Sequence, residues 1–181
     1  MTIISLWQPI LASAVVAFIA ASVILMAMPW HRADWSMTED EEREREALRT
    51  TETGAYTVPH CADRAQMQSP EFRQKLKEGP QAFITVIPSG EAQMGGKLLL
   101  MFVYNLLVGI FCAYLVSRTL APEAGYMAIF RLAGTTAFIA YGMAYIQESI
   151  WFGRSWSMTA KTFLDALIYA GLTGGIFGWL A

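Results

Sequence analysis

The sequence predicts an all-α membrane fold: a four-transmembrane-helix bundle with a small α+β extramembrane segment between helices 1 and 2. Hydrophobic residues make up 55% of the 181 residues, above the roughly 45–50% of soluble domains. The charged residues fall almost entirely outside four long apolar runs. Each run approaches the roughly 20 apolar residues with which an α-helix crosses the hydrocarbon core.

The first transmembrane helix is predicted over residues 6–28, which carry no charge. The polar stretch from Trp30 to Arg32 ends it, and an extramembrane segment then runs over residues 29–96. In that segment Thr38 and Glu41 have the spacing of a capping box, so a helix is predicted at about 39–49. It has almost no apolar residues, which indicates a solvated or partly disordered helix.

A second short helix is predicted at about 70–78, because Ser69 offers an N-cap before Pro70 and Gly79 offers a C-cap. The β-rich stretch that follows predicts a strand at about 82–87. Residues 56–58 are a candidate partner strand. A segment of this size cannot bury a sizeable core of its own.

The other transmembrane helices are predicted over residues 97–117, 126–150 and 158–180. The third starts near Tyr126 or Leu132 and ends near Ile146 or Phe152, because Arg131 and Glu148 make its ends uncertain. Lys and Arg residues near helix ends set orientation. Here they favour a cytoplasmic long loop with both termini outside. The net charge of −2 gives no reason to propose nucleic acid as a partner.

Ionisable residues inside a transmembrane helix are expensive and are functional hypotheses by default. The spacing predicts a charged cluster near one end of helices 3 and 4, with Arg131 at the opposite end of helix 3. The cluster contains Glu148, Arg154, Lys161 and Asp165. It is a candidate proton or ion relay or a binding site for an anionic headgroup. The interpretation we favour is an interfacial ion-pair network that fixes helix register.

Two segments share a His-x-x-Asp spacing, at His31–Asp34 and at His60–Asp63. Residues three apart share a helix face, so each pair is a weak candidate for offering a nitrogen and an oxygen to a metal ion. Chance similarity in a polar segment is the simpler interpretation. No cofactor is predicted, since the transmembrane helices contain no histidine to ligate haem.

Glycines recur along the fourth helix with the small-xxx-small spacing that lets membrane helices approach closely. The residues are Gly171, Gly174, Gly175 and Gly178. This helix-packing face joins helices within the chain, which we favour, or joins the chain to another protein or a second copy. Asn105 in the second helix is expected to donate a hydrogen bond to a neighbouring helix.

Several stretches together resemble a group of uncharacterised bacterial four-helix membrane proteins, over nearly the whole chain. The stretches are Ser69-Pro-Glu-Phe72, Val86-Ile-Pro-Ser-Gly90, Met94-Gly-Gly-Lys97, Gly134-Thr-Thr-Ala-Phe138, Asp165-Ala-Leu-Ile-Tyr169 and Gly178-Trp179. The resemblance implies a bacterial inner (cytoplasmic) membrane. It implies no activity, cofactor or catalytic residue.

Three functions are compatible with these patterns. The one we favour is a non-enzymatic accessory, structural or assembly subunit of a larger membrane complex, since no motif identifies a reaction. The second is a small transporter or an ion- or proton-conducting oligomer that uses Asp165 and Glu148. The third is a metal-dependent enzyme at the membrane surface that uses the two His-x-x-Asp pairs.

Overall fold

A computed structural model describes residues 2–91 and 93–181 of the chain. The protein is 70% helical and has one small two-stranded sheet. It forms two compact units. The helical unit contains Met1–Trp35 and Gln93–Ala181, and the inserted unit contains Ser36–Ala92.

Four helices of the helical unit are long and apolar enough to cross a membrane. They run over Ile4–Ala27, Met94–Thr119, Tyr126–Trp151 and Trp156–Leu180. The first is a 3-10 turn, Ile4–Leu6, followed by α1, Trp7–Ala27. The second is α5, Met94–Thr119, and the fourth is α8, Trp156–Leu180.

The third long helix is continuous, with Arg131 in its second turn and Glu148 near its end. It consists of α6, Tyr126–Phe138, a π-helical turn, Ile139–Met143, and α7, Ala144–Trp151. Of the alternatives that the sequence left open, the structure therefore has the earlier start, at Tyr126, and the later end, at Trp151. The helix ends where Gly153 adopts a φ of 71°, a left-handed conformation that glycine tolerates best.

Each long helix packs on two neighbours. The first contacts α5 and α8, and the third contacts the same two helices. The buried core is built largely from small residues, which allow the helix backbones to approach closely. Its fully buried members include Cys112, Ala113, Ala133, Ala137 and Phe177. The contact between α6 and α8 is the most extensive.

The inserted unit contains three short helices and the sheet. In chain order these are α2, Glu41–Leu48; β1, Gly54–Val58; α3, Arg64–Gln68; α4, Pro70–Glu78; and β2, Ala82–Val86. The strands pair antiparallel, with Tyr56 opposite Ile84. The stretch at 56–58 therefore pairs with β2, as the sequence suggested. Ser69 caps α4, where its side chain accepts a hydrogen bond from the Phe72 amide.

The capping box expected at Thr38 is not formed. Asp40 caps α2 instead, because its carboxylate accepts a hydrogen bond from the Arg43 amide. The Thr38 hydroxyl donates to the Glu44 side chain. Aspartate is as good an N-cap as threonine or better. The helix therefore begins two residues later than the pattern indicated.

Candidate functional site

Two short segments of the helical unit meet in one network of charged side chains. His31 Nδ1 lies 2.7 Å from Asp34 Oδ2, and His31 Nε2 lies 2.7 Å from Asp165 Oδ2. Lys161 donates to Asp34 Oδ1 at 2.5 Å. We call His31, Asp34, Lys161 and Asp165 the charged cluster.

The local backbone brings together the side chains of His31 and Asp34 in one segment, and those of Lys161 and Asp165 in the other. After α1 the chain makes a 3-10 turn over Pro29–His31, where proline occupies the first position. The Asp34 amide then donates to the His31 carbonyl, which places the two side chains together. On α8, Lys161 and Asp165 are four residues apart and so share a face. The turn and α8 are in contact.

The hydrogen bonds of His31 require a charged imidazolium if both aspartates are ionised, because both ring nitrogens must then donate. Burial opposes the charged ring, yet the hydrogen bonds and charges of Asp34 and Asp165 outweigh it and raise the pKa of His31 above 6.5. The hydrogen bond from Lys161, helped by that from His31, lowers the pKa of Asp34. The four charges then sum to zero.

Arg154 lies just before α8 and is held by its neighbours. Its Nη2 donates to Thr162 Oγ1 at 3.0 Å, and its guanidinium lies 4.6 Å from the centre of the Tyr145 ring. In the described part of the chain it forms no ion pair with a carboxylate. It therefore contributes an unbalanced positive charge next to the cluster.

A cavity of about 420 Å³ opens beside these residues, within the roughly 300–1,000 Å³ of ligand pockets. His31, Asp34, Asp165 and Arg154 line one part of it. The remaining walls are mostly apolar and aromatic and come from all four long helices and from Trp35, which follows the turn after α1. They are Ala21, Leu25, Trp35, Met101, Tyr104, Asn105, Tyr141, Tyr145, Met158, Thr162 and Tyr169.

The π-helical turn supplies Tyr141 to this cavity. Tyr141 donates to Asn105 Oδ1 at 3.1 Å, so Asn105 bonds to a neighbouring helix as an acceptor, whereas the sequence predicted it as a donor. Tyr104 donates at 2.7 Å to the carbonyl of Ala140 in the same turn. A π turn shifts carbonyls away from their usual partners, and such turns are frequent at functional sites. The two hydrogen bonds join α5 to the third helix at the cavity wall.

Three residues that line the cavity each hold a buried polar atom without a hydrogen-bond partner in the described structure. The atoms are Asn105 Nδ2, Arg154 Nε and Asp165 Oδ1. Asn105 is 4% exposed and Asp165 is 5% exposed. An unsatisfied buried polar group costs about 1–3 kcal/mol, so three around one cavity need an explanation.

The cluster expected from the sequence is formed in part. Of its four predicted members, Lys161 and Asp165 belong to the observed charged cluster, and Arg154 lines the adjoining cavity. The Glu148 side chain is exposed, and Arg131 lines a different, mostly apolar cavity with Gly171. Sequence reasoning did not connect His31 and Asp34 to α8. A signal was present, since the end of helix 1 and the start of helix 4 lie on the same side of a four-helix bundle.

The two His-x-x-Asp segments have different surroundings. Both ring nitrogens of His31 face carboxylates, whereas His60 lies in the inserted unit with Nδ1 3.4 Å from the Thr57 hydroxyl. Asp63 caps α3 by accepting from the Gln66 amide. Within residues 2–91 and 93–181, no group of three His, Cys, Asp or Glu side chains could hold a metal ion.

The four glycines of α8 divide into two pairs. A Cβ on Gly174 would lie 2.8 Å from the Phe130 carbonyl oxygen, and one on Gly178 would lie 2.8 Å from the Tyr126 ring. These two glycines pack against α6. Gly171 has open space where a Cβ would stand, and the nearest atom to one on Gly175 is the Tyr126 hydroxyl at 3.8 Å.

Comparison of the chain with protein-family models, curated proteins and solved structures gives no match.

Proposed function

We propose that the protein is a small proton-linked transporter of a bacterial inner membrane and not an enzyme. In this proposal its four long helices cross the bilayer, the inserted unit faces the cytoplasm and both termini face outside. The observation that carries the proposal is His31, held between two aspartates at the wall of a cavity within the helical unit.

The position of Asp165 supports this function. It is the tenth residue of α8, so it lies about 14 Å along the helix axis from Trp156. If Trp156 marks the interface, Asp165 lies within the hydrocarbon region. Carboxylates at such depth mark ion pathways and proton relays in membrane proteins. His31 Nε2 is hydrogen-bonded to Asp165 Oδ2, so removal of either side chain's charge alters the charge facing the cavity.

The proposed cycle uses the charged cluster as a proton-binding site. With His31 protonated the four charges cancel, and each charge has a partner of opposite sign that offsets part of the cost of removing it from water. Loss of that proton leaves a net negative charge and places a ring nitrogen lone pair against a carboxylate. After proton loss, another hydrogen-bond donor or positive charge beside Asp165 should stabilise the cluster. Proton loss is thereby coupled to a rearrangement of the helices or to the binding of a solute.

Proteoliposomes test this function. A membrane potential is imposed, and proton entry is followed with an enclosed pH-sensitive dye, with and without a small-molecule cell extract. We expect proton flux from the native chain and a loss of about tenfold or more in Asp165→Asn and His31→Gln, since each removes a charged hydrogen bond. Glu123→Gln, an exposed loop carboxylate, is the matched control. Equal flux in all four proteins, or none above empty liposomes, would overturn the proposal.

A second candidate is the accessory subunit of a larger membrane complex. The outward pair Gly171 and Gly175 favours it, because small residues four apart let another membrane helix approach closely and a Cβ added to Gly171 would have nothing within 4 Å. Purification in mild detergent tests it. A stoichiometric membrane partner that Gly171→Leu displaces supports this function, and a lone monodisperse chain contradicts it.

A further inference from the structure

The cavity beside the charged cluster has an unusual combination of unsatisfied atoms. Asp165 Oδ1 can only accept while the carboxylate is ionised, whereas Asn105 Nδ2 and Arg154 Nε can only donate. Asp165 and Asn105 are both more than nine-tenths buried. A ligand that satisfies all three must therefore carry both a hydrogen-bond donor and an acceptor.

The charges around the cavity further restrict the chemical class of ligand that it can bind. The charged cluster is neutral when His31 is protonated, and Arg154 adds one positive charge with no carboxylate partner among the described residues. An amine alone would satisfy Asp165 but add a second positive charge beside Arg154. A simple carboxylate would satisfy Arg154 but leave Asp165 Oδ1 without a donor.

The spacing along α8 suits a short ligand with both groups. The guanidinium of Arg154 is held at Thr162, and Asp165 follows three residues later on the same helix face. Three residues of helix rise about 4.5 Å. A positive group on Asp165 and a negative group on Arg154 would thus stand close enough to belong to one small molecule.

We propose that this cavity binds a small zwitterion, whose ammonium donates to Asp165 and whose oxyanion accepts from Arg154 and Asn105. The apolar walls, including Met101, Met158 and Leu25, accept the rest of the ligand. Free amino acids carry this pair of groups, and so does a phosphatidylethanolamine headgroup. The inference rests on the proposed transport function, for which it names the substrate class.

Binding to the purified full-length chain in mild detergent tests the inference at fixed pH. One arm adds each standard amino acid at millimolar concentration, and the other adds short-chain phosphatidylethanolamine, with short-chain phosphatidylglycerol as the anionic lipid control. We expect a saturable rise in melting temperature in one arm. A rise with amino acids assigns a soluble zwitterion, and a rise with phosphatidylethanolamine alone assigns a lipid. No rise in either arm overturns the inference.

Two further comparisons identify the groups that bind. The bound compound is compared with its amine and its acid, each lacking the other charge, on the unmodified protein. Both should bind about tenfold or more weakly, as expected for one lost charge-assisted hydrogen bond. Equal binding of either overturns the inference. Asp165→Asn and Arg154→Gln should weaken binding similarly, while Arg131→Gln, an arginine outside this cavity, should not.

The results of the binding and flux experiments test the zwitterion ligand and the proposed transport function separately. Proton flux that depends on His31 and Asp165, without binding of any zwitterion, overturns the ligand class and leaves proton transport standing. Binding of a zwitterion with no proton flux supports the ligand class and overturns the transport function. The binding assay needs no membrane potential, so failure of reconstitution does not affect it.

Discussion

His31 binds two carboxylates at once, that of Asp34 through Nδ1 and that of Asp165 through Nε2. Its folded-state pKa lies above the ordinary histidine value of 6.5, because two aspartates outweigh the cost of burying the ring. A raised histidine pKa contributes stability that is fully present below about pH 6.5 and is lost as the pH rises through the folded-state pKa. We therefore expect the free energy of unfolding in detergent to fall as the pH rises from about 6.5 to the folded-state pKa, with a slope of up to about 1.4 kcal/mol per pH unit. The melting temperature should fall over the same range.

Substitution separates this effect from general alkaline denaturation. His31→Gln should have a lower melting temperature at about pH 6 and a flatter dependence on pH above it. His60→Gln, which removes an exposed histidine of the inserted unit, should keep the slope of the native chain. The assignment is wrong if His31→Gln and the native protein lose stability in parallel as the pH rises.

Individual site residues differed in how far the sequence could predict them. Asp165 was recognisable because a carboxylate inside an apolar run is costly wherever the helix packs. Its pairing with His31 was not, since the two residues are 134 positions apart and nothing local encodes that contact. Glu148 has the same charge and similar surroundings in sequence, yet its side chain is exposed.

At the scale of helices, α8 uses its glycines on two faces for different purposes. Gly174 faces α6 so closely that a Cβ would stand 2.8 Å from a backbone carbonyl, which cannot move aside as a side chain can. We expect Gly174→Ala to destabilise the protein by about 1–3 kcal/mol through overpacking. Gly171→Ala meets open space and replaces a poor helix former by a good one, so it should be neutral or slightly stabilising.

Thermal unfolding in detergent measures both substitutions under identical conditions. Gly171→Ala is the matched control, because it makes the same chemical change three residues away on the same helix. Equal destabilisation by the two variants would contradict the close contact between α6 and α8. If Gly174→Ala kept the melting temperature of the native chain while Gly171→Ala lowered it, the assignment of Gly174 to the face that packs on α6 and of Gly171 to the open face would be wrong.

The π-helical turn is an element that periodicity did not predict. Between Arg131 and Glu148 the third helix has a mostly apolar sequence that predicts an ordinary α-helix, and one extra residue in a turn leaves composition unchanged. The turn nevertheless brings Tyr141 to Asn105 and to the ring of Tyr169, 5.4 Å away. The four long helices themselves were predictable, because their length and apolar composition meet a requirement that each segment satisfies alone.

For the whole molecule, the proposed orientation depends on a few cations near the helix ends and can be tested with the native cysteines. Cys61 lies partly exposed in the inserted unit, and Cys112 is buried among the long helices. A membrane-impermeant maleimide should therefore react with Cys61 alone. With the inserted unit in the cytoplasm, we expect labelling in inside-out vesicles and none in intact spheroplasts.

Two variants make this measurement decisive. Cys61→Ser should abolish labelling in both preparations, which verifies that Cys112 does not react. Adding Glu44→Cys to Cys61→Ser places a thiol on the exposed helix α2 and should restore the pattern of the native chain. Both positions belong to the inserted unit, so under the proposed topology the labelling of the two positions must agree. Labelling of both positions in intact spheroplasts would contradict the proposed orientation and would place the inserted unit outside. The His31 turn, which precedes that unit in the chain, would then lie at the outer face of the membrane.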